Sequence, residues 1–124
     1  MNNRPLVCAS FHRAVELIGR RWSGAIIFLL LKSTARFADL RAGIPGITDR
    51  MLSERLQELE KEGIVSRTVI PETPVRVEYA LTDKGRALAQ VVDAIGEWAH
   101  EWNENDPNDT QVIDPAAMQE SKTA

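Results

Sequence analysis

Hydroxyl, carboxylate and guanidinium side chains cluster at the beginning of one amphipathic segment, residues 48–62. Thr48, Asp49, Arg50 and Ser53 fall in its first two turns, whereas most of its glutamates fall in the last two. A helix that enters a DNA groove by its N-terminus places its first turns against bases and phosphates. This order predicts that Arg50 and Ser53 contact bases, with Asp49 beside them, and that Thr48 contacts a phosphate. The alternative is a charged face that is merely solvated.

Three further arginines complete the candidate DNA-binding set. Arg55 would contact a phosphate from the same segment, and Arg36 would do so from the start of a short helix upstream. Arg76 is expected to face outward from a strand toward a phosphate or the minor groove, whereas Glu78 is expected to form an internal pair. For Arg55 the competing interpretation is an ion pair along the helix with one of three acidic residues, Asp49, Glu58 or Glu62.

Cys8 is the single cysteine of the sequence, which excludes an intrachain disulfide within it. Arg4 and Arg13 are close to Cys8 in sequence and would favour a reactive thiolate. An unreactive thiol that packs against the first helix is the alternative.

Metal and catalytic sites are not indicated. His12 and His100 are far apart, and no group of His, Cys and carboxylate residues has the spacing of a metal site. The sequence also contains no Gly-rich phosphate loop and no nucleophile elbow. We therefore expect no metal, no cofactor and no enzymatic activity.

Hydrophobic periodicity places the elements that must position these residues. The predicted elements are four helices at 11–18, 22–32, 36–42 and 48–62, strands at 64–70 and 75–81, and a final helix at 83–102. The break at 33–35 could hold a very short strand. This order predicts a mainly α fold with a small β-hairpin, the winged helix-turn-helix. In that fold the fourth helix lies in the major groove, and the hairpin tip, residues 70–76, lies on the DNA backbone or in the minor groove.

The net charge of −3 is unevenly distributed along the 124 residues. Up to Arg86 there are 14 basic and 10 acidic residues, whereas the remainder has 8 acidic residues and one lysine. A basic body followed by an acidic segment is compatible with DNA binding by the body. We expect one DNA-binding and dimerisation domain over residues 1–104 and a disordered polar tail over 105–124. Without a signal peptide or an apolar stretch of membrane-spanning length, the protein is expected to be cytoplasmic.

The final predicted helix carries a long apolar stripe. Its members are Leu88, Val91, Val92, Ile95, Trp98 and Trp102. Two tryptophans and several aliphatic side chains on one helix exceed what one small domain covers, which predicts an interface between two copies of the chain. The alternative is that the stripe packs entirely on its own domain.

A series of short motifs appears in a fixed order along residues 8–102. They are Cys8, the segments 17–23, 36–40, 44–56, 59–67 and 77–85, and Trp98. In these motifs the chain resembles regulators of the HxlR type, within the MarR-like winged-helix group. Such regulators often have Gly-Lys-Trp where this chain has Arg20-Arg21-Trp22, and the segment after Asn103 has no counterpart among them.

The resemblance implies a homodimeric transcriptional regulator that binds a pseudo-palindromic double-stranded DNA operator. It implies that the dimer helices lie at the N- and C-terminal ends of the domain, so Phe11 and Val15 of the first helix would join the stripe. It also implies that a cysteine near the N-terminus senses oxidants, quinones or other electrophiles, which makes Cys8 the candidate sensor. A small-molecule inducer bound between the dimer helices, near Trp22, Trp98 and Trp102, would add to this function.

A winged helix can also serve as a protein–protein interaction module without specific DNA binding. In that case its arginines would form structural ion pairs. DNA binding predicts instead that Arg36, Arg50 and Arg76 are free and lie on one surface.

Overall fold

The computed structural model describes residues 6–103 and residue 107. The helices are α1 (Ala9–Gly19), α2 (Ser23–Lys32), α3 (Phe37–Gly43), α4 (Asp49–Lys61), α5 (Asp83–Arg86) and α6 (Ala89–Asn103). Strands β1 (Val65–Ile70) and β2 (Arg76–Leu81) lie between α4 and α5. The predicted mainly α fold with a β-hairpin is confirmed. The tail predicted at residues 105–124 lies outside the described residues, apart from Pro107.

The core forms around α2, as expected for a helix that is apolar on nearly all sides. Ile26, Ile27 and Leu30 of α2 are buried against apolar residues of the other elements. Those partners are Leu40, Ile44, Ile47, Leu52, Leu56, Leu59, Ile64, Val65 and Leu81. Because α4 and both strands contribute to this core, α4 and the β-hairpin pack into the same apolar core as α2.

The turn between α3 and α4 contains Gly46, whose φ of 90° is in the region that favours glycine. Thr48 caps α4, because its Oγ1 accepts a hydrogen bond from the Met51 amide at 3.1 Å. At the other end of α4, Gly63 has a φ of 75° and turns the chain into β1. Thr48 and Gly63 therefore mark the two ends of α4.

Strands β1 and β2 pair in antiparallel register, with Val65 opposite Leu81 and Ile70 opposite Arg76. Ala35 adds an isolated bridge to Tyr79, with Ala35 N to Tyr79 O at 3.0 Å and Tyr79 N to Ala35 O at 2.8 Å. The very short strand expected at residues 33–35 is thus a single bridge.

The predicted final helix is wrong as one continuous element, because the chain forms α5 and α6 with a tight turn between them. Leu88 N donates to Gly85 O, three residues back, which tightens the helix locally. Gly85 lies so close to the Ile64 carbonyl that α5 is fixed against the backbone just before β1. We attribute the break to this anchoring of α5, since α6 then extends from a separate turn.

A second difference concerns Trp22, which was placed inside the second helix. It instead precedes α2 as its N-cap residue, with a left-handed φ of 76°. Among the described residues, no helix is both long and apolar enough to cross a membrane.

Candidate nucleic-acid interface

The first turns of α4 present Thr48, Asp49, Arg50 and Ser53 together, as predicted. The Arg50 side chain is 88% exposed, and its Nε lies 3.2 Å from Glu54 Oε1 one turn later. An exposed ion pair of this kind contributes little free energy and exchanges readily for another partner. Arg50 is therefore free to contact an anion or an acceptor outside the protein.

Asp49 is held by a neighbouring element. Its Oδ1 lies 3.0 Å from Nε of Arg41 in the last turn of α3. This pair links the end of α3 to the start of α4, and the Asp49 carboxylate also stabilises the positive N-terminus of α4.

Arg36 stands at the start of α3 with an exposed side chain. Its backbone amide donates to Asp39 Oδ2 at 3.0 Å, which caps α3. Within the described part of the chain its guanidinium has no ion-pair partner, so it can meet a phosphate.

Arg55 must be removed from the free DNA-contacting set. Its side chain is buried, with a relative exposure of 8% for the residue. Nε donates to the Arg21 carbonyl at 2.8 Å, and Nη1 lies 3.4 Å from Glu58 Oε1. The competing interpretation, an ion pair along the helix, is the one observed. The sequence carried a signal for it, since Arg55 is three residues after Leu52 and four before Leu59 and so shares their buried face.

Arg76 also differs from its prediction. It lies between two carboxylates, with Nη2 3.3 Å from Glu72 Oε1 and Nε 3.5 Å from Glu78 Oε2. Its side chain is half-buried, so the expectation of a free, outward arginine is wrong for this structure. The internal pair expected for Glu78 is found, and its partner is Arg76. The alternation of Arg76 and Glu78 on β2 could not reveal Glu72, which reaches Arg76 from the hairpin loop.

One cluster escaped prediction because its members are distant in sequence. Arg20 Nη2 lies 3.3 Å from Glu58 Oε1, the oxygen that also faces Arg55. We call Arg20, Arg55 and Glu58 the Glu58 cluster. No local spacing indicates a pair between a residue of the α1–α2 connection and one of α4.

The apolar stripe divides between two surfaces. Trp98 and Trp102 are 63% and 70% exposed, and Val91 and Ile95 are exposed beside them on α6. An open cavity of about 680 Å³ lies along this face. The stripe therefore does not pack entirely on its own domain.

Two members of the predicted interface face inward instead. Leu88 and Val92 pack against the core of their own chain, which removes them from the exposed stripe. On α1, Phe11 and Val15 are exposed as predicted. We call Phe11, Val15, Val91, Ile95, Trp98 and Trp102 the apolar face. Trp22 packs against the core and is not part of it.

Cys8 is exposed and caps α1. Its Sγ accepts a hydrogen bond from the Phe11 amide at 3.4 Å. The Cys8 thiol is therefore accessible from solvent and lies next to the positive end of the α1 helix dipole. Arg4 lies outside the described residues, and no group of three metal-ligating side chains occurs among those that are described.

Residues 17–107 match the family described as HxlR-like helix-turn-helix. The chain belongs to the HxlR-like helix-turn-helix family. The resemblance seen in the sequence motifs is confirmed.

Relatives from Bacillus subtilis (strain 168) are HTH-type transcriptional regulators. YvaP is 51% identical over 100 residues, covering 81% of this chain and 93% of YvaP. YodB is 45% identical over 104 residues, covering 84% of this chain and 91% of YodB. This HxlR-like protein is therefore a DNA-binding transcriptional regulator rather than only a protein–protein interaction module. Its family is one of regulators rather than enzymes.

Solved structures of two regulators share the fold. The reduced form of YodB superposes with a TM-score of 0.73 at 44% identity, over 81% of this chain and 98% of YodB. The reduced form of the redox regulator HypR gives a TM-score of 0.71 at 38% identity, over 77% of this chain and 94% of HypR. YodB has also been solved with a quinone bound, with a TM-score of 0.68 at 40% identity over 77% of this chain and 99% of that one.

Proposed function

We propose that the protein binds a pseudo-palindromic operator as a homodimer, with the start of each α4 in the major groove. The observation that carries this proposal is the 88% exposure of Arg50 in the first turn of a capped helix. A guanidinium there can exchange Glu54 for a guanine edge, which offers two acceptors in the major groove. Ser53 and Thr48 flank it and would contact a base and a phosphate.

Phosphate contacts would come from outside α4 as well. Arg36 begins α3 with an exposed guanidinium, which favours a contact to the DNA backbone. The hairpin tip, residues 70–76, would lie along the backbone or the minor groove. Arg55 and Arg76 are not assigned contacts, because neighbouring carboxylates already hold them.

The apolar face supports the dimer. Six exposed apolar side chains lie on α1 and α6, and exposed apolar side chains in such number favour coverage by a partner. A second copy of the chain would bring its own α1 and α6 to this surface, as a two-fold symmetric interface requires. Two copies of α4 would then face the two halves of one operator.

Cys8 is the proposed sensor. Its exposed thiol can add to a quinone: one S–C bond forms as a ring C=C bond is lost, and the thiol proton and the ring proton at the attacked carbon move to the two quinone oxygens, which gives the hydroquinone thioether. An oxidant would instead join it to another thiol, which for one cysteine per chain means the partner's Cys8 or a small thiol. A regulator that binds the chromosome would act in the cytoplasm, where thiols are otherwise kept reduced.

The test of DNA binding uses an operator selected from a random-sequence library. We expect the affinity of the wild type for this operator to fall linearly with the logarithm of salt concentration. Arg50→Ala should weaken binding by roughly 5- to 150-fold at each half-site, which corresponds to about 1–3 kcal/mol for each lost bidentate base contact. Its affinity for random DNA should change much less.

Arg13→Ala is the matched control. Arg13 is an exposed arginine on α1, which is not among the elements proposed to contact DNA. It should bind the operator as the wild type does. Equal affinity of the wild type for selected and random fragments would contradict sequence-specific binding. Equal losses in Arg50→Ala and Arg13→Ala would contradict the placement of α4.

A further inference from the structure

Glu58 connects the recognition helix to the segment that joins α1 and α2. Its Oε1 lies 3.3 Å from Arg20 Nη2 and 3.4 Å from Arg55 Nη1. Arg55 then donates Nε to the Arg21 carbonyl at 2.8 Å. One carboxylate on α4 thus binds a side chain of the α1–α2 connection, and its neighbour Arg55 binds the backbone of the same connection.

The α1–α2 connection has an unusual backbone conformation. Trp22 has a φ of 76°, which is uncommon for a residue with a large side chain. Such conformations persist only where their surroundings fix them. The Arg55 bond to the carbonyl of Arg21 lies one residue away, and the Arg21 guanidinium stacks 4.8 Å above the Trp22 ring. Both contacts restrain the connection, and only the first reaches α4.

Apart from the contact made by Arg20, α1 and the C-terminal half of α4 are separated by a cavity. The cavity has a volume of about 880 Å³ and is lined by Arg13, Ala14 and Leu17 on α1 and by Lys61 and Glu62 at the end of α4. The Arg20–Glu58 pair lies at the edge of this cavity. The Glu58 cluster therefore links α4 to the α1–α2 connection at one side of this cavity, in addition to the packing of Leu17 against the core.

We propose that Glu58 is a positioning residue of the recognition helix, which holds α4 at a fixed angle to α1 through Arg20 and Arg55. This inference rests on the proposed dimeric DNA binding. In such a dimer α1 belongs to the interface, while α4 contacts the operator. A fixed angle between them fixes the distance between the two copies of α4, and with it the spacing of operator half-sites that the dimer accepts.

The test measures affinity for the selected operator and for versions with one base pair inserted or deleted between the half-sites. We expect the wild type to bind the altered spacings at least 10-fold more weakly. Glu58→Gln keeps the shape of the side chain and removes its charge, and it should reduce this discrimination at least threefold. Arg20→Ala should do the same, and Arg20→Lys should retain most of the discrimination because a cation remains.

Glu60→Gln is the matched control, since Glu60 lies two residues away on the exposed side of α4. It should discriminate as the wild type does. Thermal unfolding of each variant shows whether it is folded. If Glu58→Gln does not fold, Arg20→Ala tests the proposal alone, because the Arg20 side chain is more than half exposed and its loss should leave the fold intact.

Two results would overturn the positioning role. Folded Glu58→Gln and Arg20→Ala variants could discriminate spacings as well as the wild type, or could lose affinity for all spacings by the same factor. A wild type that ignores half-site spacing altogether would instead overturn the dimeric operator model, and the positioning role with it.

Discussion

Two arginines of α4, five residues apart, have opposite environments. Arg50 extends into solvent, whereas Arg55 is buried on the face that carries Leu52, Leu56 and Leu59. A buried guanidinium needs compensating partners, and Arg55 has a carbonyl and a carboxylate. The residue type alone therefore did not separate a DNA contact from a structural ion pair, but the position on the helical face does.

Cys8 is expected to react with electrophiles and thereby to lower operator affinity. Treatment with a benzoquinone should add one quinone mass per chain and should lower operator affinity about 5- to 150-fold, the usual range of coupling between two sites. Cys8→Ser should bind the operator like the wild type and should not respond, because its hydroxyl is a far weaker nucleophile than a thiolate.

Intact-mass spectrometry and anisotropy titration of the same samples provide the measurements. A Cys8→Ser protein that still loses operator affinity after quinone treatment would show that the response arises elsewhere. A wild-type protein that carries the adduct and binds unchanged would show that Cys8 reacts without regulating.

At the scale of elements, the sequence was sufficient for the order of helices and strands. The apolar spacing of Leu52, Leu56 and Leu59 placed α4, and the change to alternation after Gly63 placed the hairpin. The break after α5 was not predictable, because Asp83–Arg86 contains no apolar side chain whose periodicity could show where α5 ends. We attribute it to the close approach between Gly85 and the Ile64 carbonyl just before β1, which is a tertiary contact with no local pattern.

Gly85 has no space for a side chain, so its replacement by alanine should destabilise the fold. A Cβ at this position would overlap the Ile64 carbonyl oxygen and would lie 3.0 Å from Leu81 Cδ2. The Ile64 backbone, which leads directly into β1, cannot easily move aside, so Gly85→Ala should lower the free energy of unfolding by roughly 1–3 kcal/mol. Urea unfolding at one fixed protein concentration measures this, since dimerisation makes stability depend on concentration.

Gly19→Ala is the matched control, because a Cβ at Gly19 would have no atom within 4 Å. It should change the free energy of unfolding by no more than about 0.5 kcal/mol. If both alanine variants unfold at the same urea concentration as the wild type, the close packing of Gly85 against Ile64 is not a source of stability.

For the whole molecule, the sequence identified an apolar stripe but not the direction of each side chain. Leu88 and Val92 turn toward their own core, whereas Val91 and Ile95 face outward. These residues alternate along one helix, and only the position of α6 against α2 decides which of them a partner can contact. The Glu58 cluster was similarly invisible, because it depends on how α1, α2 and α4 are assembled.

The last prediction follows from the position of Trp98 in the apolar face. Trp98→Asp would remove a large apolar surface from the proposed interface and place an unpaired carboxylate there in each protomer. We expect the dimer dissociation constant to rise by roughly 100-fold or more, since about 1.4 kcal/mol corresponds to each factor of ten. Val75→Asp makes the same kind of change at an exposed valine of the wing and should leave the dimer intact. Sedimentation velocity over a concentration series distinguishes the two variants, and a Trp98→Asp protein that dimerises like the wild type would place the interface away from α6. Because a monomer contacts only one half of a palindrome, Trp98→Asp should also bind a full operator no more tightly than a single half-site.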